Sequence, residues 1–184
     1  LDVGTGSGIL GIVALKLGAA HVVGTDLDPC AIPAVADNKE ANDIKDETFD
    51  MLIGNIIDDK EVQDTVGYEK YDIVTANILA DVLVPLTPVI VNQMKKGAYY
   101  ITSGILDVKE EVVVKAVKDA GLQLVEVTHQ GEWVFCTQPE RNNYAALFVE
   151  PYQVLEEEHR ITLTGPDLNH MKNVLRMRIG EDWL

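Results

Sequence analysis

The feature that most constrains this chain is its opening: Leu1-Asp2-Val3 runs into Gly4-Thr5-Gly6-Ser7-Gly8 and then into an apolar-periodic stretch over residues 9–17. A strand that turns through glycines into a helix lets the backbone pass close to a ligand and directs N–H groups towards it. In dinucleotide enzymes the spacing is G-x-G-x-x-G and the amides meet a pyrophosphate. Here Gly4, Gly6 and Gly8 alternate. This tighter form suits a nucleotide-like ligand without phosphates, packed through its amino-acid and ribose parts.

The same alternation of short apolar runs and longer amphipathic ones continues through the first two-thirds of the chain. Residues 1–3 read as the stub of a strand, and further strands are predicted at 21–27, 51–54, 71–77 and 98–103. Helices are predicted at 9–17, stopped by Gly18, and at 29–42, where Pro29 fits the first turn. Two more are predicted at 79–94 and at 108–120, the latter closed by Gly121. Two β-rich runs, 123–130 and 132–138, flank Gly131 and predict a closing antiparallel hairpin. This is the outline of an α/β doubly wound sheet.

Composition changes at residues 139–143, a polar stretch with Pro139 that reads as a linker between a first domain, 1–138, and a second unit, 144–184. Strand patterns at 144–149 and 160–164 and a helix pattern at 166–177 make this unit the beginning of a β-rich barrel. Roughly forty residues do not usually close a core of their own, so it reads as cut short.

Three positions carry the chemistry. Asp26 ends the second strand about twenty residues after the glycine loop, where an acidic side chain accepts both hydroxyls of a ribose. An NAD enzyme uses an acid there too, so Asp26 alone does not choose the cofactor. Asp28, just before Pro29, is assigned to capping the following helix. Asn77 ends the strand at 71–77, on the edge of the sheet where ligands bind in open α/β folds. Its amide oxygen can accept a hydrogen bond from an amine. Transfer of a group to such an amine needs chiefly positioning, and the amine can lose its proton to water beforehand, so no buried base is required.

Other chemistries have little to stand on. The four histidines, His21, His129, His159 and His170, form no ligand set, and no metal site is expected. Cys30 and Cys136 lack metal spacing and read as reduced, partly buried thiols of a cytoplasmic protein. No run of 18 apolar residues predicts a membrane span, and no basic start predicts a signal peptide. The net charge of -15 argues against a general nucleic-acid binder and is compatible with a basic partner.

With these residues in view, Leu1–Leu10, Lys16-Leu17-Gly18-Ala19 and Gly24-Thr25-Asp26-Leu27-Asp28-Pro29 resemble the PrmA family. So do Ala76-Asn77-Ile78-Leu79-Ala80, Ser103-Gly104-Ile105-Leu106 and Gly131-Glu132-Trp133. The resemblance covers residues 1 to about 138. It implies a class I, Rossmann-like methyltransferase that uses S-adenosylmethionine to methylate amino groups, mainly of lysines, on ribosomal protein eleven of the large subunit. It implies that Gly4, Gly6 and Asp26 bind the cofactor and that Asn77 contacts cofactor and places the amine. The related glutamine and DNA amino-methyltransferases carry Asn-Pro-Pro-Tyr where this chain has Asn-Ile-Leu-Ala. The family's substrate-recognition domain and a Gly-Thr-Gly-x-His stretch would precede Leu1.

Residues 144–184 resemble something else. Phe148-Val149-Glu150-Pro151, Ile161-Thr162-Leu163-Thr164-Gly165 and Asn169 to Met177 are similar to the start of the RsmE family, which methylates a uridine of small-subunit ribosomal RNA. That resemblance implies a partial RNA-binding barrel and an RNA contact at His170, Lys172, Arg176 and Arg178. Lys172 and Arg176, at i and i+4, would share a helix face. The whole then reads as a truncated fusion. Two alternatives stay open: a class I methyltransferase of another protein or a small molecule, and a non-catalytic ribosome or RNA adaptor.

Overall fold

The computed structural model describes residues 1–130 and the strand segments Trp133–Thr137, Tyr144–Ala145, Val154–Leu155 and Arg160–Ile161. The chain runs β1 (Asp2–Val3), α1 (Ile9–Lys16), β2 (Val22–Asp26), α2 (Ala31–Ala41), β3 (Phe49–Ile53), α3 (Lys60–Val66) and β4 (Tyr71–Asn77). It continues through α4 (Ala80–Ile90), β5 (Met94–Leu106), α5 (Glu110–Asp119), β6 (Glu126–Gln130), β7 (Trp133–Thr137) and β8 (Tyr144–Ala145).

The strands order as β3-β2-β1-β4-β5-β7-β6. The first five are parallel, while β7 runs antiparallel to β5 and β6 antiparallel to β7. The predicted closing hairpin is therefore present. Successive side chains of a strand point to opposite faces, and β2 shows what that does here. Val22 packs with Ile12 of α1, Val35 of α2 and Phe49, whereas Val23 belongs to the larger cluster with α3, α4 and α5. Helices thus cover both faces of the sheet, as a doubly wound fold requires.

The differences from the predicted elements have local causes. Helix α3 was not expected: it is short and polar, and its start is set by Asp59, whose side chain accepts from the amides of Glu61 and Val62. Strand β5 is 13 residues long, well beyond the predicted 98–103, because it pairs with β4 from Met94 and with the hairpin out to Leu106. It bulges between Thr102 and Ile105, against β7. Tyr144–Ala145 pairs parallel with Ala98–Tyr99 of β5. The rest of the expected second unit, including its helix at 166–177, lies outside the described residues. Cys30 is exposed beside α2, not partly buried.

The order β3-β2-β1-β4-β5 reverses direction between β1 and β4, which are direct neighbours through Asp2↔Thr75 and Val3↔Ala76. Loops leaving the carboxyl ends of two such strands diverge to opposite faces and leave a crevice, the usual ligand site of open α/β sheets. In this chain those loops are Gly4–Gly8 and Ile78–Leu79.

Candidate functional site at the carboxyl ends of β1 and β4

The glycine loop is built from conformations that favour glycine. Gly4, Gly6 and Gly8 have φ of 69°, 52° and 81°. At Gly4 a Cβ would lie 2.4 Å from Cγ2 of Ile78, so the loop and the end of β4 are packed too closely for any side chain there. At Gly6 a Cβ would meet nothing within 4 Å, so that turn faces open space.

The loop amides are mostly used inside the protein. Gly4 and Thr5 donate to the carbonyl of Thr25, and Gly8 donates to that of Thr5. The Gly6 amide donates to Oδ2 of Asp26 at 2.8 Å. Sequence reasoning expected free amides aimed at the ligand; instead the loop is held by its own bonds, and a pyrophosphate would have to compete for them. A ligand without phosphates meets no such competition.

Asp26 joins the loop to the end of β2. Its Oδ2 takes the Gly6 amide and its Oδ1 takes the Asp28 amide at 3.0 Å. A carboxylate has about four lone-pair sites, so each oxygen keeps one for a ligand hydroxyl. The residue at the cap of α2 is Cys30, so Asp28 does not cap the helix as predicted. Asp28 accepts from the Cys30 amide at 2.8 Å in the turn before α2. That hydrogen bond holds the Asp28 carboxyl below its ordinary pKa.

Asp2 is buried beneath the loop, and it anchors both sides of the crevice. Thr5 Oγ1 donates to one oxygen at 2.6 Å and Thr75 Oγ1 to the other at 2.7 Å. Burial pushes its pKa up, and the two hydroxyls pull it part of the way back. The glycine loop and β4 are therefore tied through one carboxyl, two residues before Asn77.

Between these parts lies a cavity of about 350 Å³, lined by Val3, Gly4, Thr25, Asp26 and Leu27 on one side. Gly54, Asn55, Ile56 and Ile57 after β3, and Ile78, Leu79, Val82 and Leu86 of β4–α4, line the rest. That volume falls in the range of small-molecule sites. Leu27 is 65% exposed and Leu79 71%, large apolar side chains left open at the mouth. One carboxylate against apolar walls can accept hydrogen bonds from hydroxyls of a ligand whose remaining surface packs on the walls.

Of the predicted residues, two line the cavity and two, Gly6 and Asn77, stand outside its lining. Gly4 and Asp26 line the cavity. Gly6 stands outside the lining and acts on it through Asp26. Asn77 is exposed at the end of β4, in register with Ser103, and its neighbours Ile78 and Leu79 form the wall. Sequence reasoning missed the apolar wall and Asn55. The available signal was Gly54-Asn55 just past β3, a third carboxyl end at the same edge of the sheet. His170, Lys172, Arg176 and Arg178 lie outside the described residues.

Known proteins resemble this chain in sequence and in fold. The chain is 56% identical over 137 residues to a ribosomal protein L11 methyltransferase of Agathobacter rectalis, covering 74% of this chain and 42% of that protein. With the corresponding protein of Lachnospira eligens it is 59% identical over 138 residues, covering 74% and 43%. It therefore spans under half the length of these curated relatives. A crystal structure of a ribosomal protein L11 methylase from Lactobacillus delbrueckii subsp. bulgaricus superposes with a TM-score of 0.65 at 30% identity, covering 73% of this chain and 66% of that one. Residues 1–141 match the family model described as ribosomal protein L11 methyltransferase (PrmA), and the chain belongs to that family.

Proposed function

We propose that this chain carries the cofactor-binding and methyl-transfer site of an S-adenosylmethionine-dependent enzyme that methylates amino groups, mainly of lysines, on ribosomal protein L11. The observation that supports this reading is the apolar cavity at the β1–β4 reversal, with Asp26 as the one carboxylate in its lining and Asn77 exposed at the end of β4, next to the wall residue Ile78. The residues fit the cofactor. Asp26 has lone pairs left for two ribose hydroxyls, Leu27, Ile56 and Ile78 offer apolar surface to a base, and the open space at Gly6 leaves room beside the loop.

When bound, S-adenosylmethionine supplies an electrophilic methyl group on a sulfonium leaving group. The protein's own residues have three tasks. Asp26 and the loop hold the nucleoside half. Asn77 accepts a hydrogen bond from the incoming amine and orients its lone pair. The amine gives its proton to water beforehand, and holding the reactants in line supplies the rate enhancement. The net charge of -15 favours approach of a lysine-bearing partner.

The test is transfer of a radiolabelled methyl group to purified ribosomal protein L11, by the chain alone and by a longer form extended upstream. We expect labelling by the longer form and about a hundredfold loss of transfer in Asn77→Ala, with cofactor binding weakened far less. Cofactor binding without any labelling of L11 by the longer form would remove the substrate assignment.

The pattern from Asn169 to Met177 supports a separate proposal, that residues 144–184 begin an RsmE-like RNA-binding unit using His170, Lys172, Arg176 and Arg178. Salt-sensitive binding of ribosomal RNA, lost on replacing Lys172 and Arg176 by alanine, would support it; RNA binding unaffected by both changes would sink it.

A further inference from the structure

The end of β4 is held between two glycines, Gly4 in the turn just after β1 and Gly104 within β5. On the β1 side, Gly4 leaves no room for a Cβ beside Ile78. On the β5 side, Gly104 has φ of 77°, and a Cβ there would lie 3.0 Å from Asn77 Oδ1 and 3.0 Å from the Ile78 carbonyl oxygen. Gly104 also sits inside the β5 bulge, between Thr102 and Ile105, where the pairing with β7 slips. Its preceding residue, Ser103, is in register with Asn77. A bulge bends the strand and re-aims what lies next to it. Here it presents a bare Cα to the amide of Asn77.

We infer that Gly104 is a positioning residue for methyl transfer: its bulge and missing side chain fix where the Asn77 amide oxygen stands. The inference rests on the role proposed for Asn77. A side chain at 104 would press on two oxygens at once. The Ile78 carbonyl is backbone and gives way little, so the Asn77 side chain would move by a few tenths of an ångström. Displacement of a group that orients a nucleophile lowers the rate of transfer, while the cofactor cleft, on the other side of Ile78, keeps its lining. The expected signature is a fall in kcat with little change in cofactor affinity or in KM.

Backbone strain is the competing explanation, and the protein contains its own control. Gly121, at the end of α5, has φ of 80° but open space around its missing Cβ. Gly121→Ala therefore carries the same backbone cost without the contact. A second variant, Gly104→Asn, adds the same Cβ in a residue that tolerates positive φ better than alanine does. It also guards against a Gly104→Ala protein that does not fold.

The experiment measures two things on the full chain, using the longer form for turnover: the side-chain amide signal of Asn77 by NMR, assigned from its loss in Asn77→Asp, and methyl transfer to L11. In Gly104→Ala and Gly104→Asn we expect the Asn77 amide signal to shift and kcat to fall about tenfold, with KM and cofactor Kd within about twofold. Gly121→Ala should leave both unchanged. Activity restored in Gly104→Asn relative to Gly104→Ala would place the effect in backbone strain and overturn the inference, as would an Asn77 signal that does not move. A signal that moves with no change in rate would instead remove Asn77 from the transfer step, and with it the reading on which the inference rests.

Discussion

The two ends of the parallel sheet are made differently. At the amino end, where α4 finishes and β5 begins, Ile90, Gln93 and Met94 are all fully buried. At the carboxyl end, Leu27 and Leu79 stand open, Asn77 is exposed, and Gly4, Gly6, Gly8 and Gly104 adopt positive φ. Positive φ occurs at the amino end too, at Gly67, Glu69 and Gly97. What sets the carboxyl end apart is that Gly4 and Gly104 stand where a Cβ would crowd Ile78 and Asn77, and that large apolar side chains are left open there. The difference separates stability from function in space: packing at the amino end fixes strands whose carboxyl ends can then carry gaps and strained turns. Substitutions at the two ends should therefore fail in different measurements.

The largest expected effect is on folding. Ile90 belongs to the main core with Leu83, Leu86 and Met94. Truncation to alanine at such a site costs about 2–5 kcal/mol, and thermal unfolding should show it. Cofactor affinity measured below the lowered Tm should be unchanged. A weakened cofactor Kd in Ile90→Ala would mean that the two ends are coupled, and the division would break.

Asp26→Ala is the converse experiment. Hydrogen bonds to a charged group contribute about 1.5–3 kcal/mol, so losing the proposed ribose contact should weaken S-adenosylmethionine binding about tenfold to a hundredfold. The Gly6 and Asp28 amides it releases are exposed and can turn to water, so Tm should hardly move. Calorimetry that finds cofactor binding indifferent to Asp26→Ala would sink the site assignment.

How much of this was legible in the sequence follows the same division. Hydrophobic periodicity reports packing, so β4 was placed to the residue. The helix predicted at 79–94, however, ends at Ile90, and Met94 already belongs to β5, because a buried apolar run reads alike as helix or strand. The glycine spacing, Asp26 and Asn77 were legible because backbone clearance and polar chemistry restrict residue type at those positions. What stayed hidden was relational. Nothing in Leu27, Asn55 or Ile78 singles it out as a wall of one cavity, because their meeting depends on the order of strands. The bulge at Gly104 was hidden for the same reason, since register is a property of two strands. Helix α3 was missed because its stabilisation comes from one cap and two buried valines, too short a pattern to register as a period.

A smaller effect lies at the amino end. Both side-chain amide atoms of Gln93 are buried without a hydrogen-bond partner. An unpaired buried polar group costs about 1–3 kcal/mol, and methionine has nearly the same shape. Gln93→Met should therefore raise stability by about 1 kcal/mol in denaturant unfolding. A destabilised Gln93→Met would show that the amide is satisfied in solution and that this end is not purely a packing device.

Asp2 tests the boundary between the two regimes, because it is a buried charge placed directly under the functional end. Burial raises its pKa above the unfolded value, against the pull of Thr5 and Thr75. A carboxyl with a raised folded pKa binds its proton more tightly when folded. Its contribution to stability is complete below the unfolded pKa of about 3.9 and is lost as pH rises through the folded value. Asp2→Asn keeps the shape, and a hydroxyl can turn to accept from the new amide, but the titration is gone. The Tm of Asp2→Asn minus that of the parent should therefore become more positive as pH rises from about 4. The slope is diagnostic, since any lost hydrogen bond shifts the whole curve equally. A flat difference would mean the threonine hydroxyls already offset burial, and a falling one that they outweigh it. A rising one would show that the fold carries a destabilising charge in order to tie the cofactor loop to the strand that ends in Asn77.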